Sequence, residues 1–277
     1  MTAPSPVVLK FGGELVEDPA RLDQVVSAIA TLARLAPLVV VHGGGREIDA
    51  ALKAAGIEKR QVDGLRITDR ATLEVVVSVL AGAVNTRLVA ALTAAGVDAV
   101  GLTGADARCG LSGKAPAHQA VDGRLVDLQE VGVPSGRADM RVLQTLVGAG
   151  FVPVVASIGV GSDGRLYNVN ADTFAGHLAA GLGARRLVIA GTTPGVLDGA
   201  GETVPTLEPA GIARMVSEGT ATAGMIAKLR ACEHALASGV DEVVIVDGRD
   251  GAALEDAAAG RAPRTATRIA VSMTETR

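Results

Sequence analysis

Val39-Val40-Val41-His42-Gly43-Gly44-Gly45-Arg46-Glu47-Ile48 runs from a buried-strand pattern into three glycines and straight on into a helix pattern. Without side chains there, the backbone can approach an anionic ligand closely. The free N–H groups then point out of the helix start, where the positive end of the macrodipole lies. A second junction of the same kind stands upstream in Val7-Val8-Leu9-Lys10-Phe11-Gly12-Gly13, with a lysine on the last turn of its strand. Two glycine-rich strand ends and one lysine, all in the first fifth of the chain, point to a phosphate site.

Around these junctions strand and helix patterns alternate almost to the end of the chain. Strands are expected over 7–11, 38–41, 97–102, 152–156, 187–190 and 243–246, with a last one including Arg268–Ala270. Helices are expected over 19–36, 46–55, 138–147, 171–182, 207–217 and 225–237, and Thr68 is read as the N-cap of a long helix through Ala94. Asp122-Gly123 reads as a hairpin turn between 117–121 and 124–127. The fold class is α/β: a mainly parallel central sheet sandwiched between helices. Ligands in such sheets gather at the carboxyl ends of strands, where both glycine junctions lie. A soft boundary near Gly181–Ala184 divides one domain into two lobes, residues 1–182 and 183–277.

The chain has 277 residues, enough for one large α/β domain. It holds no Trp, one Tyr and three Phe, which argues against aromatic stacking on bases. Its net charge of −4 gives no global basic field for nucleic acid, so an anionic substrate must be held by local cations. Cys109 and Cys232 imply no disulfide framework, residues 1–6 are too short for a signal peptide, and no apolar run is read as spanning a bilayer. The expectation is a cytoplasmic enzyme without nucleic-acid or membrane partners.

Several motifs are missing. Gly113-Lys114 is followed by Ala115 and has Arg108 where a P-loop needs its first glycine. Gly159-Val160-Gly161-Ser162-Asp163-Gly164 has dinucleotide-binding spacing but leads into another extended segment, so a hairpin turn is the competing reading. The four histidines are scattered, no Cys/His cluster offers a metal cage, and there is no G-x-S-x-G elbow.

Four further segments carry candidate chemistry, each with a plainer alternative. Arg66, just before a helix, suits bidentate capture of a carboxylate, or it pairs with Asp69 or Glu74 on the surface. Asn168 and Asn170 face one way ahead of Asp172, or Asn170 and Asp172 are simply an N-cap and a dipole-matched acid. Lys228 follows the small-residue loop containing Thr222 on the first turns of a helix, or it is a solvated side chain. Thr192-Thr193-Pro194-Gly195 follows a buried strand as a nucleotide loop does, or it is a plain turn.

In order along essentially the whole chain, Lys10-Phe-Gly-Gly13, His42-Gly-Gly-Gly45, Gly64-Leu-Arg-Ile-Thr-Asp69, Asn168-Val-Asn-Ala-Asp172, Pro194-Gly-Val-Leu-Asp198 and Gly224-Met-Ile-Ala-Lys228 resemble the amino acid kinase family. Within it they resemble the branch that moves the γ-phosphoryl group of ATP onto the side-chain carboxylate of N-acetyl-L-glutamate in arginine biosynthesis. The resemblance implies a substrate-binding and dimerising first lobe, a nucleotide-binding second lobe, and a homodimer of the arginine-insensitive type. It casts Lys10 and Lys228 as transition-state cations held by Asp172. Gly44, Gly45, Arg66, Asn168 and Asn170 become substrate contacts. Gly12, Gly13, Thr192, Gly195 and Thr222 become nucleotide contacts, with Thr192 where the family often carries aspartate. Mg2+ would ride on the ATP phosphates. The alternatives are a sister kinase acting on carrier-protein-bound 2-aminoadipate or another acidic amino acid, a non-catalytic nucleotide-binding regulator, and a dinucleotide oxidoreductase. Lys10, Gly44 and Arg66 fall in the first lobe, and Lys228 and the 192–195 loop in the second. A transferring phosphoryl must touch both sets, so the lobes are expected to close on nucleotide and amino acid.

Overall fold

The structure, a computed structural model, describes residues 5–219, 222–261, 263 and 265–270. Eight strands form the main sheet: β1 (Val7–Phe11), β2 (Leu38–His42), β3 (Ala99–Thr103), β4 (Val152–Ala156), β5 (Arg186–Gly191), β6 (Thr206–Leu207), β7 (Val243–Asp247) and β8 (Ala266–Ile269). Their order is β6-β8-β7-β5-β1-β2-β4-β3, and only the β7–β8 pairing is antiparallel. β1 and β2 are buried along their whole length. That is the signature of a sheet covered on both faces, where alternate residues must both be apolar.

The eight main helices are α1 (Pro19–Leu35), α2 (Gly45–Ala54), α3 (Arg70–Ala94), α4 (Arg141–Gly148), α5 (Ala171–Leu182), α6 (Pro209–Ser217), α7 (Ala223–Ala237) and α8 (Gly251–Ala259). Val7, Leu9 and Phe11 pack with Ile29, Leu88 and Leu254 in one core layer. Val8 packs with Phe174, Leu178 and Leu229 in the other. Strand alternation puts Lys10 on the Val8 face, toward α5. β5, from the second half of the sequence, lies beside β1 in mid-sheet, so both halves share one layer. α5 ends at a left-handed Gly183 (φ +59°), inside the boundary read near 181–184.

Three expectations change. Thr68 does not cap α3. Asp69 does, taking the Thr72 N–H at 2.8 Å, while Thr68 is buried and exchanges backbone bonds with Leu128 and Glu130. An ionised carboxylate is the stronger acceptor at the positive helix end, and Thr68 is already committed to a strand-like bridge. α3 itself has 25 residues and a window of mean hydropathy 1.9, so by length and composition it is apolar enough to cross a membrane. Its uncharged run is only Val75–Thr86, which is why no span was read there. In the structure α3 packs on α2 and β3. Helix α8, capped by Asp250, forms in the alanine-rich stretch 251–259, where no helix is expected because its apolar residues show little helical periodicity.

A smaller sheet of Ile158–Val160, Leu166–Val169, Val131–Pro134 and Ser112–Lys114 starts just past the carboxyl end of β4, where the Gly104 N–H after β3 donates to the Ile158 carbonyl at 2.8 Å. Its first two strands are antiparallel, so Gly159–Gly164 is a hairpin with Gly164 at φ +84° and opens no helix. Two further hairpins flank it. Asp63 (φ +47°) and Gly64 (φ +79°) turn Gln61–Val62 into Leu65–Arg66, and His118–Gln119 pairs with Leu125–Val126. The loop after β3, which sequence patterns left without an element, folds onto α5: a Cβ at Gly110 would lie 2.5 Å from the Phe174 ring.

Thr267 of β8 ties down the loop that follows β5. Its hydroxyl, fully buried, accepts from the Val196 N–H and donates to the Val204 carbonyl, both at 2.7 Å. Thr267→Val keeps the shape but orphans both backbone groups, so the unfolding free energy should fall by about 2–4 kcal/mol. Urea unfolding measures this. A loss below about 0.5 kcal/mol would show that the hydroxyl does not hold the loop.

Candidate active site

Nine of the residues singled out in the sequence line one cleft of about 280 Å³: Lys10, Gly12, Gly13, Gly44, Gly45, Arg66, Asn168, Asn170 and Asp172. At its floor Lys10 Nζ lies 2.7 Å from Asp172 Oδ1, while Lys228, which does not itself line the cleft, reaches Asp172 Oδ2 with its Nζ at 3.0 Å. All three side chains are largely buried. Each comes from a different element: β1, the first turn of α5, and α7. Burial pushes the Lys10 ammonium below its ordinary pKa, against the pull of Asp172. Burial alone would raise Asp172, but the two ammonium groups outweigh it and hold the carboxyl well below the usual range. The cluster carries two positive charges and one negative, so it keeps a net positive charge beside the cleft.

Above it the two glycine loops touch backbone to backbone. A Cβ on Gly13 would stand 2.6 Å from Gly44 Cα, and one on Gly44 would stand 2.9 Å from the Leu80 side chain. No acceptor within the described residues takes the Gly13, Gly44 or Gly45 N–H, and all three amides lie at the cleft. Gly12 differs from expectation: its N–H donates to the Ala190 carbonyl at 3.2 Å, because the chain continues in register with β5 for one more residue. The Glu14 carboxylate lies over Gly12 instead.

Arg66 pairs with neither Asp69 nor Glu74. Its Nη2 donates to Asp49 Oδ1 at 2.5 Å and to the Gly45 carbonyl at 3.3 Å. Its Nη1 is buried without a partner among the described residues. A buried guanidinium nitrogen left free at a cleft wall fits a carboxylate acceptor. Asn168 Nδ2 donates to Thr68 Oγ1 at 3.0 Å. Asn170 does cap α5, its Oδ1 accepting from the Asp172 and Thr173 N–H groups, and this fixes Asp172 in the first turn.

Thr192, Gly195 and Thr222 do not line this cleft. Thr192 follows β5, and Gly195 (φ +105°) packs where a Cβ would meet Thr267 Oγ1 at 2.6 Å. Thr222 caps α7, the helix that carries Lys228. Thr220 and Ala221 of the same loop lie outside the described residues. Sequence reading missed Asp49, Glu14 and Ser157. Ser157 could have been found from its place just after β4. It is buried at the cleft. Among those residues no three His, Cys, Asp or Glu side chains converge as a metal cage.

Fold and site together define a phosphotransfer scaffold. The sequence pattern of the amino acid kinase family matches residues 5–247, and the chain belongs to that family. It is 45% identical over 252 residues to acetylglutamate kinase from Novosphingobium aromaticivorans, covering 87% of this chain and 83% of that one. N-acetylglutamate synthase from Neisseria gonorrhoeae superposes with a TM-score of 0.79 at 24% identity, over 96% of this chain. This chain spans 59% of that longer protein. Carbamate kinase from Giardia lamblia gives 0.66 at 16% identity, over 98% of this chain and 100% of that one. At such identities these two share the fold alone.

His42, at the end of β2, is fully buried, and burial lowers its pKa from 6.5 to about 4. On acidification the unfolded chain therefore takes up this proton first. The contribution of His42 to stability is complete above pH 6.5. It declines as pH falls from 6.5 toward about 4, by up to roughly 3 kcal/mol. His177 is shifted the same way and adds to the slope. Unfolding titrations at pH 7.5 and 4.5 should show the loss in the native chain and much less of it in His42→Gln. An equal loss in both would remove His42 as its source.

Proposed function

We propose that the protein is an ATP-dependent kinase that phosphorylates the side-chain carboxylate of N-acetyl-L-glutamate to the acyl phosphate, in arginine biosynthesis. The observation that carries this reading is the meeting of Lys10, Asp172 and Lys228 under the free N–H groups of Gly13, Gly44 and Gly45. The chain's similarity to acetylglutamate kinases names the acceptor.

The nucleophile is a carboxylate, ionised at neutral pH, so it needs no general base. One of its oxygens attacks the γ-phosphorus in line, the bond to the β-phosphate oxygen breaks, and ADP leaves. What remains for the protein is positioning and charge neutralisation. Lys10 and Lys228 meet the equatorial charge from two sides, and Asp172 keeps both ammonium groups there. The glycine N–H groups serve the transferring group and the attacking oxygen. Arg66 Nη1 takes the substrate's α-carboxylate, with Asn168, Asn170 and Ser157 left for its amide end. Thr192, Gly195 and Thr222 belong to the nucleotide side, as does Gly12 through its contact with β5. Mg2+ enters on the ATP phosphates.

The first lobe binds the amino acid and the second the nucleotide. The free outer edge of β3 and the half-buried Val75, Val77 and Val89 of α3 support a homodimer through that side. The protein is read as cytoplasmic.

An ATP-dependent hydroxamate assay across glutamate, acetylglutamate, aspartate and 2-aminoadipate traps the acyl phosphate and should single out acetylglutamate. Lys10→Ala and Lys228→Ala should each lower turnover by roughly a hundredfold to a thousandfold, with smaller changes in substrate binding. Near-normal turnover in both would reverse the assignment. Arg66→Lys keeps the charge but loses the planar fork, so the Michaelis constant for the acid should rise roughly tenfold with that for ATP unchanged. Equal rises for both substrates would argue against a substrate clamp.

A further inference from the structure

We propose that the buried pair His42–Asn85 is the positioning element that aims the Gly44 N–H into the cleft. The inference rests on the phosphoryl-transfer reading above.

His42 and Asn85 are both buried, and neither touches the cleft. Asn85 Nδ2 lies 3.0 Å from His42 Nε2 and donates to the Val154 carbonyl at 2.9 Å. An amide nitrogen with an acceptor on each side has only hydrogens to offer, so Nε2 is the lone-pair nitrogen of a neutral ring. The proton then sits on Nδ1, 3.1 Å from the Gly43 carbonyl, and donates to it. Burial favours the same neutral ring.

The Gly43 carbonyl and the Gly44 N–H belong to one planar trans peptide and point in opposite directions. Holding the oxygen on His42 therefore sends the hydrogen the other way, to the cleft side. Glycines at 43, 44 and 45 would otherwise leave that plane free to rotate. Ser78–Val84 of α3 is wound as a π-helix, which delivers Asn85 to His42 and sets Leu80 and Val84 against Gly44. Such π segments recur at functional sites. Asn85 is held in turn by β3, where a Cβ on Gly101 would lie 2.1 Å from its Oδ1. One amide thus ties α3 to β2, β3 and β4 behind the loop.

Four variants test this: Asn85→Leu, His42→Leu, His42→Gln and Gly101→Ala, the last displacing Asn85 from an exposed position of β3. With acyl phosphate formation followed in the native enzyme as control, Asn85→Leu, His42→Leu and Gly101→Ala should each lower kcat roughly tenfold or more, since misplaced groups lose transition-state contacts. KM for both substrates should stay within about twofold. His42→Gln, which offers an acceptor and a donor again, should recover most of the rate. Nitrogen-15 spectra of histidine-labelled native protein should show His42 as the neutral Nδ1–H tautomer. Folded Asn85→Leu or Gly101→Ala with native kcat would overturn the proposal, as would no recovery in His42→Gln or an Nε2–H tautomer. Failure of the native enzyme to form any acyl phosphate would instead strike the functional reading, and leave the tautomer to judge the geometry.

Discussion

Asp172 lies between two buried ammonium groups, and much of the fold can be understood as the means of keeping it there. Removing three charges from water carries a penalty of several kcal/mol per ion. The arrangement survives because the partners arrive on rigid elements. Lys10 comes from the middle of the sheet, Asp172 from a helix start fixed by Asn170, and Lys228 from α7, which packs along α5. A loop could not hold such a cluster. The carboxylate also answers the repulsion between the lysines, so lobe closure is not needed to bring them together. If the lobes close on ligand, the movement serves the substrates.

The other half of the site is backbone. Phosphoryl transfer to a carboxylate asks for donors and cations in fixed places, and amide N–H groups at a helix start provide them without side-chain entropy. The consequence is that the parts deciding geometry sit behind the cleft. Leu80 and Val84 press on Gly44, Asn85 and His42 orient its peptide, and Asp49 holds Arg66.

What could be read from the chain follows the same division. Glycine clusters, buried strands and the lysine before Gly12 are local signatures, because each reports a backbone conformation or face within a few residues. Most strands of the sheet, most helices and the glycine turns beside Lys10 are legible that way, while β6 and α8 are not. Pairings were not. Arg66 finds Asp49 rather than its sequence neighbours because the hairpin turned by Asp63 and Gly64 folds back over α2. Asn85 meets His42 across 43 positions, and only three-dimensional packing shows it. Gly12 loses its N–H to Ala190 because β5, far along the chain, lies beside β1. Thr68 and Asp69 compete as caps one residue apart, a choice settled by a bridge to Gln129.

The contact between Gly13 and Gly44 has a consequence for how this protein can go wrong. It exists only if β1 and β2 align Val7 with Leu38 through Phe11 with His42. A slip of one residue would part the two glycines. It would also turn Lys10 into the layer that holds Leu9 and Phe11, since side chains alternate along a strand. A misaligned chain thus buries an unpaired ammonium in hydrocarbon and cannot settle into a well-folded imposter. Correct alignment is proofread by the same residues that build the site, so inactive molecules of this kind are also the ones that fail to persist.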